Sequence, residues 1–128
     1  MRPVGVDDGQ LESAAGELAS VAGQSRDREL ARLAQLRLAR VQIAQGKPDS
    51  ALATLGADGG QGAFAALYHE ARGDAYFAKG DKSAALREYR SAQQAGGGSN
   101  AELLGLKIAD LAAAAPLAAA TAPTPPAH

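Results

Sequence analysis

Residues 73–89, GDAYFAKGDKSAALREY, contain the end of one predicted helix, a tight turn and the start of a second helix. Gly80 can adopt the left-handed backbone that ends a helix in a tight turn, and Asp81 is a good N-cap for the helix that follows. Gly73 and Ala85 are small residues on the two sides of this turn. The stretch therefore predicts two antiparallel helices that approach each other closely.

The same features occur earlier in the chain, in residues 33–55, LAQLRLARVQIAQGKPDSALATL. The corresponding pairs, all with one common spacing, are Gly46 and Gly80, Leu52 and Leu86, Leu33 and Leu67, Ala51 and Ala85, and Leu55 and Tyr89. This spacing, a period of about 34 residues, is typical of the tetratricopeptide repeat, in which each unit is one helical hairpin. Tyr76 and Tyr89 match its aromatic positions and are expected to fill the space between neighbouring units. Arg72 departs from the pattern, because leucine is usual there.

We predict an all-α fold in which tetratricopeptide-repeat hairpins stack as a short right-handed superhelix. The six predicted helices are 10–22, 27–45, 48–56, 63–79, 82–95 and 100–114. Ser99 and Glu102 have the spacing of a capping box at the start of the last helix.

The domain organisation follows from these helices. Residues 1–25 hold the second helix of a preceding repeat, residues 26–115 hold the repeats and a closing helix, and residues 116–128 are a Pro/Ala-rich tail expected to be disordered. We therefore expect the chain to be the C-terminal part of a longer array, since each repeat unit buries its face against a neighbour.

The composition excludes several classes of protein. The 128 residues carry a formal net charge of −1, so nothing favours nucleic acid as a partner. The chain has no cysteine, which removes disulfides, zinc ribbons and thiol catalysis. Hydrophobic residues make up 46% of the sequence and aromatic residues 4%, and alanine contributes much of the apolar content, so closely packed helices are expected. No signal peptide or membrane span is predicted.

Helix 27–45 carries two apolar stripes at helical spacing, and the second is predicted to line the inner groove of the array. The first stripe, Leu30, Ala34, Leu38 and Val41, is expected to pack inside the repeat. The second stripe and its counterparts one repeat later give the predicted protein-binding groove: Leu33, Leu36, Arg40, Ile43, Leu67, Glu70, Asp74 and Phe77. The alternative is that these residues pack within a short closed array or in a homodimer. Glu70 and Asp74 are expected to repel a C-terminal carboxylate.

Catalytic and ligand-binding chemistry is not predicted. His69 has no second ligand one turn away, so a metal site is not expected. Asp74 and Asp81 are interpreted as isolated, solvated carboxylates. The glycine runs at 59–62 and 96–98 are not followed by the Gly-Lys-Ser/Thr of a phosphate-binding loop and are interpreted as linkers. We predict no cofactor, no small-molecule substrate and no enzymatic activity.

Residues from about 26 to 112 resemble the ancillary SecYEG translocon subunit family, the YfgM-type tetratricopeptide proteins. Residues 33–55 carry the most family-like pattern, and residues 73–89 continue it in register. The resemblance implies a repeat domain on the periplasmic side of the bacterial inner membrane, held there by an anchor that is absent from this chain. It also implies translocon subunits and periplasmic chaperones or clients as partners.

Two other functions stay open on the sequence. One is a homo-oligomerising module that buries its apolar groove in a homodimer. The other is a repeat protein of cell-envelope biogenesis with different partners. An enzyme is the least favoured class, because the chain offers no set of nucleophile, base and acid.

Overall fold

A computed structural model describes residues 8–56, 64–97 and 100–121. Its six helices are α1 (Asp8–Gln24), α2 (Arg28–Ala44), α3 (Pro48–Leu55), α4 (Ala65–Lys79), α5 (Lys82–Gln94) and α6 (Ala101–Thr121). No strand occurs within these ranges. Each helix packs on the next one along the chain, and α2 also contacts α4. The prediction of an all-α fold with six helices is confirmed.

Two turns with the same hydrogen bonds, one repeat period apart, confirm the repeat. The backbone N–H of Lys47 donates to the carbonyl oxygen of Gln42 at 2.8 Å, and that of Asp81 donates to the carbonyl oxygen of Tyr76 at 2.9 Å. The glycine before each donor has a left-handed backbone, with φ of 78° at Gly46 and 88° at Gly80. This bond, from the residue after the glycine back into the last helical turn, closes a helix end in the manner typical of glycine.

Aspartates begin two of the helices. The Asp27 Oδ1 atom accepts hydrogen bonds from the backbone N–H groups of Glu29 at 3.0 Å and Leu30 at 3.3 Å. Asp81 accepts from the N–H of Ala84 at 3.1 Å, so its predicted role as an N-cap is confirmed and it is not an isolated carboxylate. These bonds satisfy N–H groups that have no partner within the helix.

The last helix begins with a different residue from the one expected. The Asn100 side chain accepts a hydrogen bond from the Leu103 N–H at 3.0 Å and therefore caps α6, whereas the predicted cap, Ser99, lies outside the described residues. The helix continues to Thr121, beyond the predicted end at residue 114. The predicted tail, 116–128, therefore overlaps α6 as far as Thr121, and its remainder lies outside the described residues. Residues 57–63, which include the first glycine run, also lie outside the described residues. In the described parts of the chain, no helix combines the length and apolar content needed to cross a membrane.

The core consists of two clusters. The first lies among α2, α3 and α4 and contains Leu36, Ala39, Ala51, Leu55, Tyr68, Ala71 and Ala75. The second lies between α5 and α6 and contains Ala85, Tyr89, Ala92, Leu104 and Leu111. Alanines with no exposed surface occur in both clusters, so helix axes lie close together at these points.

Two buried tyrosines each contact a neighbouring helix. Tyr68, which the sequence analysis did not single out, is 1% exposed. Its hydroxyl lies 3.0 Å from the Arg32 carbonyl oxygen and 2.9 Å from Gln35 Oε1, so the two acceptors share its one proton. Tyr89 packs against Gly73, where an added Cβ would lie 2.5 Å from two ring carbons. The predicted need for a small residue at position 73 therefore has a direct structural cause.

Candidate protein-binding groove

Helices α2, α4 and α6 contribute side chains to one face of the molecule, which we call the groove face. Its centre is a group of four charged residues, the charged cluster, made of Arg40, Glu70, Asp74 and Lys107. Arg40 Nη1 lies 3.0 Å from Asp74 Oδ2, and Lys107 Nζ lies 3.0 Å from Asp74 Oδ1. Glu70 lies between the same two cations, 3.8 Å from Arg40 and 3.5 Å from Lys107.

Burial within the charged cluster increases from its cations to Glu70. The Arg40 side chain is 41% exposed and that of Lys107 is 28% exposed, whereas the Glu70 side chain is 2% exposed. A buried carboxylate is costly unless cations or hydrogen-bond donors surround it. Since two acids face two bases, the charged cluster is neutral overall. The two cations balance the charge of Glu70 and Asp74, which reduces the repulsion of a carboxylate that was expected from the sequence.

Tyr89 contacts two members of the charged cluster, Asp74 and Lys107. Its hydroxyl donates to Asp74 Oδ1 at 2.5 Å, and the Lys107 Nζ atom lies 5.3 Å from the centre of its ring, within range of a cation–π interaction. Burial and then the hydrogen bond to Asp74 raise the pKa of the Tyr89 hydroxyl far above its ordinary value. The phenol therefore remains a donor at neutral pH and fixes the orientation of the Asp74 carboxylate.

A cavity of about 270 Å³ opens beside the charged cluster, and we call it the Phe77 pocket. It is lined by Asp74, Phe77, Tyr89, Lys107, Asp110 and Leu111. Phe77 is 52% exposed, which is a large apolar surface for one side chain. On the same helix as the pocket's Asp110, Leu103 is 46% exposed and Leu106 is 62% exposed, so apolar surface continues along α6.

The structure separates the predicted groove residues into two groups. Arg40, Glu70 and Asp74 meet in the charged cluster, and Phe77 lines the pocket. The apolar anchors expected on α2 and at the start of α4 are buried or partly buried. Leu36 is 5% exposed inside the first core cluster, Ile43 and Leu67 pack against that cluster, and Leu33 is partly buried. For these leucines and the isoleucine, packing within the array is the arrangement found.

The burial of the inner stripe on α2 also differs in part from the prediction. Leu38 and Ala34 are buried as expected, but Leu30, assigned to the same inner stripe, is 48% exposed. The preceding helix, α1, also packs on α2.

Sequence reasoning missed Lys107 and Asp110 and misread Asp74. Asp74 is not an isolated, solvated carboxylate, because it accepts from Arg40, Lys107 and Tyr89. One signal could have pointed to Lys107. A groove with two acids on α4 and one cation on α2 needs a second cation, and Lys107 is the one Lys or Arg in the helix that follows α5.

A second polar cluster lies elsewhere on α4 and α5. His69 Nδ1 lies 2.9 Å from Glu88 Oε1, Arg72 Nε donates to the same oxygen at 3.3 Å, and Arg72 also donates to the carbonyl oxygen of Gly56. Arg72 therefore connects α4 to α5 and to the end of α3, which gives a structural reason for an arginine where leucine is usual. Among the described residues, no group of three His, Asp or Glu side chains could hold a metal ion.

Comparison with known proteins agrees with the repeat pattern. The family model of the tetratricopeptide repeat-like domain matches residues 3–113. The ancillary SecYEG translocon subunit of Escherichia coli is 39% identical over 111 residues, which are 83% of this chain and 52% of that protein. The ancillary SecYEG translocon subunit of Haemophilus influenzae is 38% identical over 88 residues, which are 69% of this chain and 43% of that protein. The chain thus spans about half the length of these curated relatives. No solved structure matches it significantly.

Proposed function

The chain belongs to the tetratricopeptide repeat-like domain family, and from that membership we propose that it is a protein-interaction scaffold that serves as an ancillary subunit of the Sec translocon. The observation that carries the proposal is the groove face, where an exposed phenylalanine and an open pocket adjoin a neutral charged cluster. The similarity to two ancillary SecYEG translocon subunits supports the choice of assembly. Their names describe a subunit and not a catalyst, and we propose no enzymatic activity.

The groove face has the layout of a surface that binds a peptide or a helix. Binding energy at protein interfaces concentrates in a few side chains that fill pockets, and polar groups around them provide orientation. The Phe77 pocket offers such a place, and the charged cluster holds its polar rim in a fixed geometry before a partner arrives. Arg40, with a 41% exposed side chain, can donate further hydrogen bonds to a partner backbone.

The resemblance supports a proposal for the location and the partners. We propose that the repeat domain lies on the periplasmic side of the bacterial inner membrane and connects the translocon to periplasmic chaperones or client proteins. In this arrangement α1 is the second helix of a preceding repeat, and residues 26–115 form the repeats and the closing helix.

Site-specific photocrosslinking in cells tests the proposal. A photoreactive amino acid replaces Phe77 or Leu106 in the natural protein, and Arg87, an exposed residue on α5, serves as the matched control. We expect crosslinks to translocon subunits or to a periplasmic chaperone from positions 77 and 106, and none from position 87.

Other outcomes of the same experiment contradict the proposal in defined ways. Crosslinks from Phe77 to a second copy of the chain alone would make the groove face a homodimer interface. Crosslinks to envelope proteins outside the translocon would support a repeat protein of envelope biogenesis. Equal crosslinking from Phe77 and Arg87 would show that the groove face is not a specific binding surface.

A further inference from the structure

We infer that the Phe77 pocket binds an arginine side chain presented by the partner protein. This inference rests on the proposed protein-binding function and names the chemistry of the residue that the groove face selects. Its basis is the size of the pocket, the charges of its lining residues and the exposed ring of Phe77.

The pocket is small. Its volume of about 270 Å³ lies below the range of about 300–1,000 Å³ that holds small-molecule ligands. Phe77, Tyr89 and Leu111 form apolar walls, while the carboxylates of Asp74 and Asp110 lie in the lining. A side chain that fits both features has an apolar stem and a cationic end.

The charges of the lining residues favour a cation. Asp74 is already bound by Arg40, Lys107 and the Tyr89 hydroxyl. Asp110, by contrast, makes no ion pair or side-chain hydrogen bond with any residue in the described ranges, and it is exposed on α6. Within those ranges, the lining of the Phe77 pocket therefore has one unpaired carboxylate, and its other charges balance. An anionic side chain is disfavoured in the pocket and a cationic one is attracted.

Arginine fits this surrounding better than lysine does. The planar guanidinium can lie on the exposed ring of Phe77 and donate two parallel hydrogen bonds to the Asp110 carboxylate, while its aliphatic stem contacts Leu111. An ion pair at the surface contributes little by itself, and the stacking on Phe77 is what makes the site selective. Lysine would offer a point charge without the planar stacking surface.

Peptide display on the immobilised 128-residue chain tests the inference. Random peptides are selected on the wild-type chain, and the binding of each selected peptide is then measured on Asp110→Asn, Phe77→Ala and Glu102→Gln variants. Glu102 is an exposed acid on the same helix and serves as the matched control. We expect a fixed arginine in the selected peptides, a loss of at least about tenfold in affinity with Asp110→Asn and with Phe77→Ala, and a change below about twofold with Glu102→Gln.

A charge exchange makes the test specific. A selected peptide whose arginine is replaced by glutamate should lose binding to the wild-type chain and regain at least about fivefold of it with Asp110→Arg.

The remaining outcomes distinguish failure of the inference from failure of the proposed function. Selected peptides that require Phe77 but carry leucine or phenylalanine, and bind Asp110→Asn equally well, would overturn the arginine site and leave the groove in place. If no peptide is selected, or if binding is insensitive to Phe77 and Asp110, both the inference and the peptide-binding groove are overturned.

Discussion

Arg40 and Asp74 are separated by one repeat period, and the Arg40 Nη1 atom donates to the Asp74 Oδ2 atom at 3.0 Å. The two residues hold equivalent positions on α2 and α4, so the ion pair joins successive repeats at the groove face. Lys107 on α6 binds the other oxygen of the same carboxylate at 3.0 Å. With the bond from the Tyr89 hydroxyl on α5, one aspartate on α4 thus connects four helices. The proposed binding surface is therefore also where the repeats are held together.

Replacing Asp74 by asparagine should therefore reduce stability. The variant keeps an acceptor for the Tyr89 hydroxyl but removes the nearer of the two anions that Arg40 and Lys107 share, so that only Glu70 remains. We expect the free energy of unfolding to fall by about 1–2 kcal/mol. Equilibrium urea unfolding followed by circular dichroism measures the change. Asp49→Asn is the matched control, because Asp49 pairs with Lys79 at the surface with 80% of its side chain exposed. We expect no measurable loss there, and equal effects of the two variants would contradict the connecting role of Asp74.

The close packing of α4 on α5 gives a second prediction. A Cβ at position 73 would lie 2.5 Å from the Tyr89 ring, which is 3% exposed and has little room to move. Gly73→Ala should destabilise the chain by about 1–3 kcal/mol, despite the better helix propensity of alanine. Gly16→Ala, in α1, meets nothing within 4 Å and should be neutral or stabilising by up to about 1 kcal/mol. Thermal unfolding of the two variants makes the comparison, and a Gly73→Ala variant as stable as Gly16→Ala would rule out the contact with Tyr89.

The hairpins could be predicted from the sequence because local chemistry fixes them. Gly46 and Gly80 each close a turn with a left-handed backbone, and the recurrence of this turn after one period sets the register of the two repeats. The polar part of the groove on α2 and α4 followed from this register, since Arg40 and Asp74 are one period apart.

The rest of the groove could not be predicted in this way. Lys107 lies 33 residues after Asp74 and 37 after Glu70, so no multiple of the period points to it. The stripe that contains Leu36 has the same helical spacing as the stripe that contains Leu38, and both residues are buried. Helical spacing defines a face but does not say which neighbouring helix covers it, and that depends on the packing of α3 and α4 against α2.

Stability should fall at alkaline pH because of two tyrosines. Burial, and for Tyr89 also the hydrogen bond to Asp74, raises the pKa of Tyr68 and Tyr89 above the ordinary value of 10.0. As the pH rises past about 10, the unfolded chain loses its phenolic protons first and then binds fewer protons than the native state, so the free energy of unfolding decreases. The contribution of these groups is fully present below that pH.

Urea unfolding across the alkaline range measures this decline. Tyr89→Phe should show a shallower decrease of stability above about pH 10 than the wild-type chain, because it lacks one of the shifted groups. Ultraviolet absorbance of tyrosinate provides an independent check, since Tyr89 should ionise only as the chain unfolds. Ionisation of all three tyrosines of the folded chain near their ordinary pKa would contradict the burial and the hydrogen bond.

Helix α6 has two leucines with opposite roles, and together they separate structure from binding. Leu104 has no exposed surface and belongs to the second core cluster, whereas Leu106, two residues later, is 62% exposed on the same helix as Lys107 and Asp110. Leu104→Ala should cost about 2–5 kcal/mol of stability through the cavity it leaves, and Leu106→Ala should change stability by less than about 0.5 kcal/mol. Urea unfolding measures both effects.

Partner binding, unlike stability, should depend on Leu106. With the photoreactive group at Phe77, the Leu106→Ala variant should give less crosslinked partner at full protein abundance, because apolar contact area along α6 is lost while the fold is intact. Phe77 and Leu106 would then belong to one continuous surface that extends from α4 to α6. Unchanged crosslinking in the Leu106→Ala variant would confine the partner to the Phe77 pocket, and the exposed leucines of α6 would need another explanation, such as the packing of a further helix or a second copy against them.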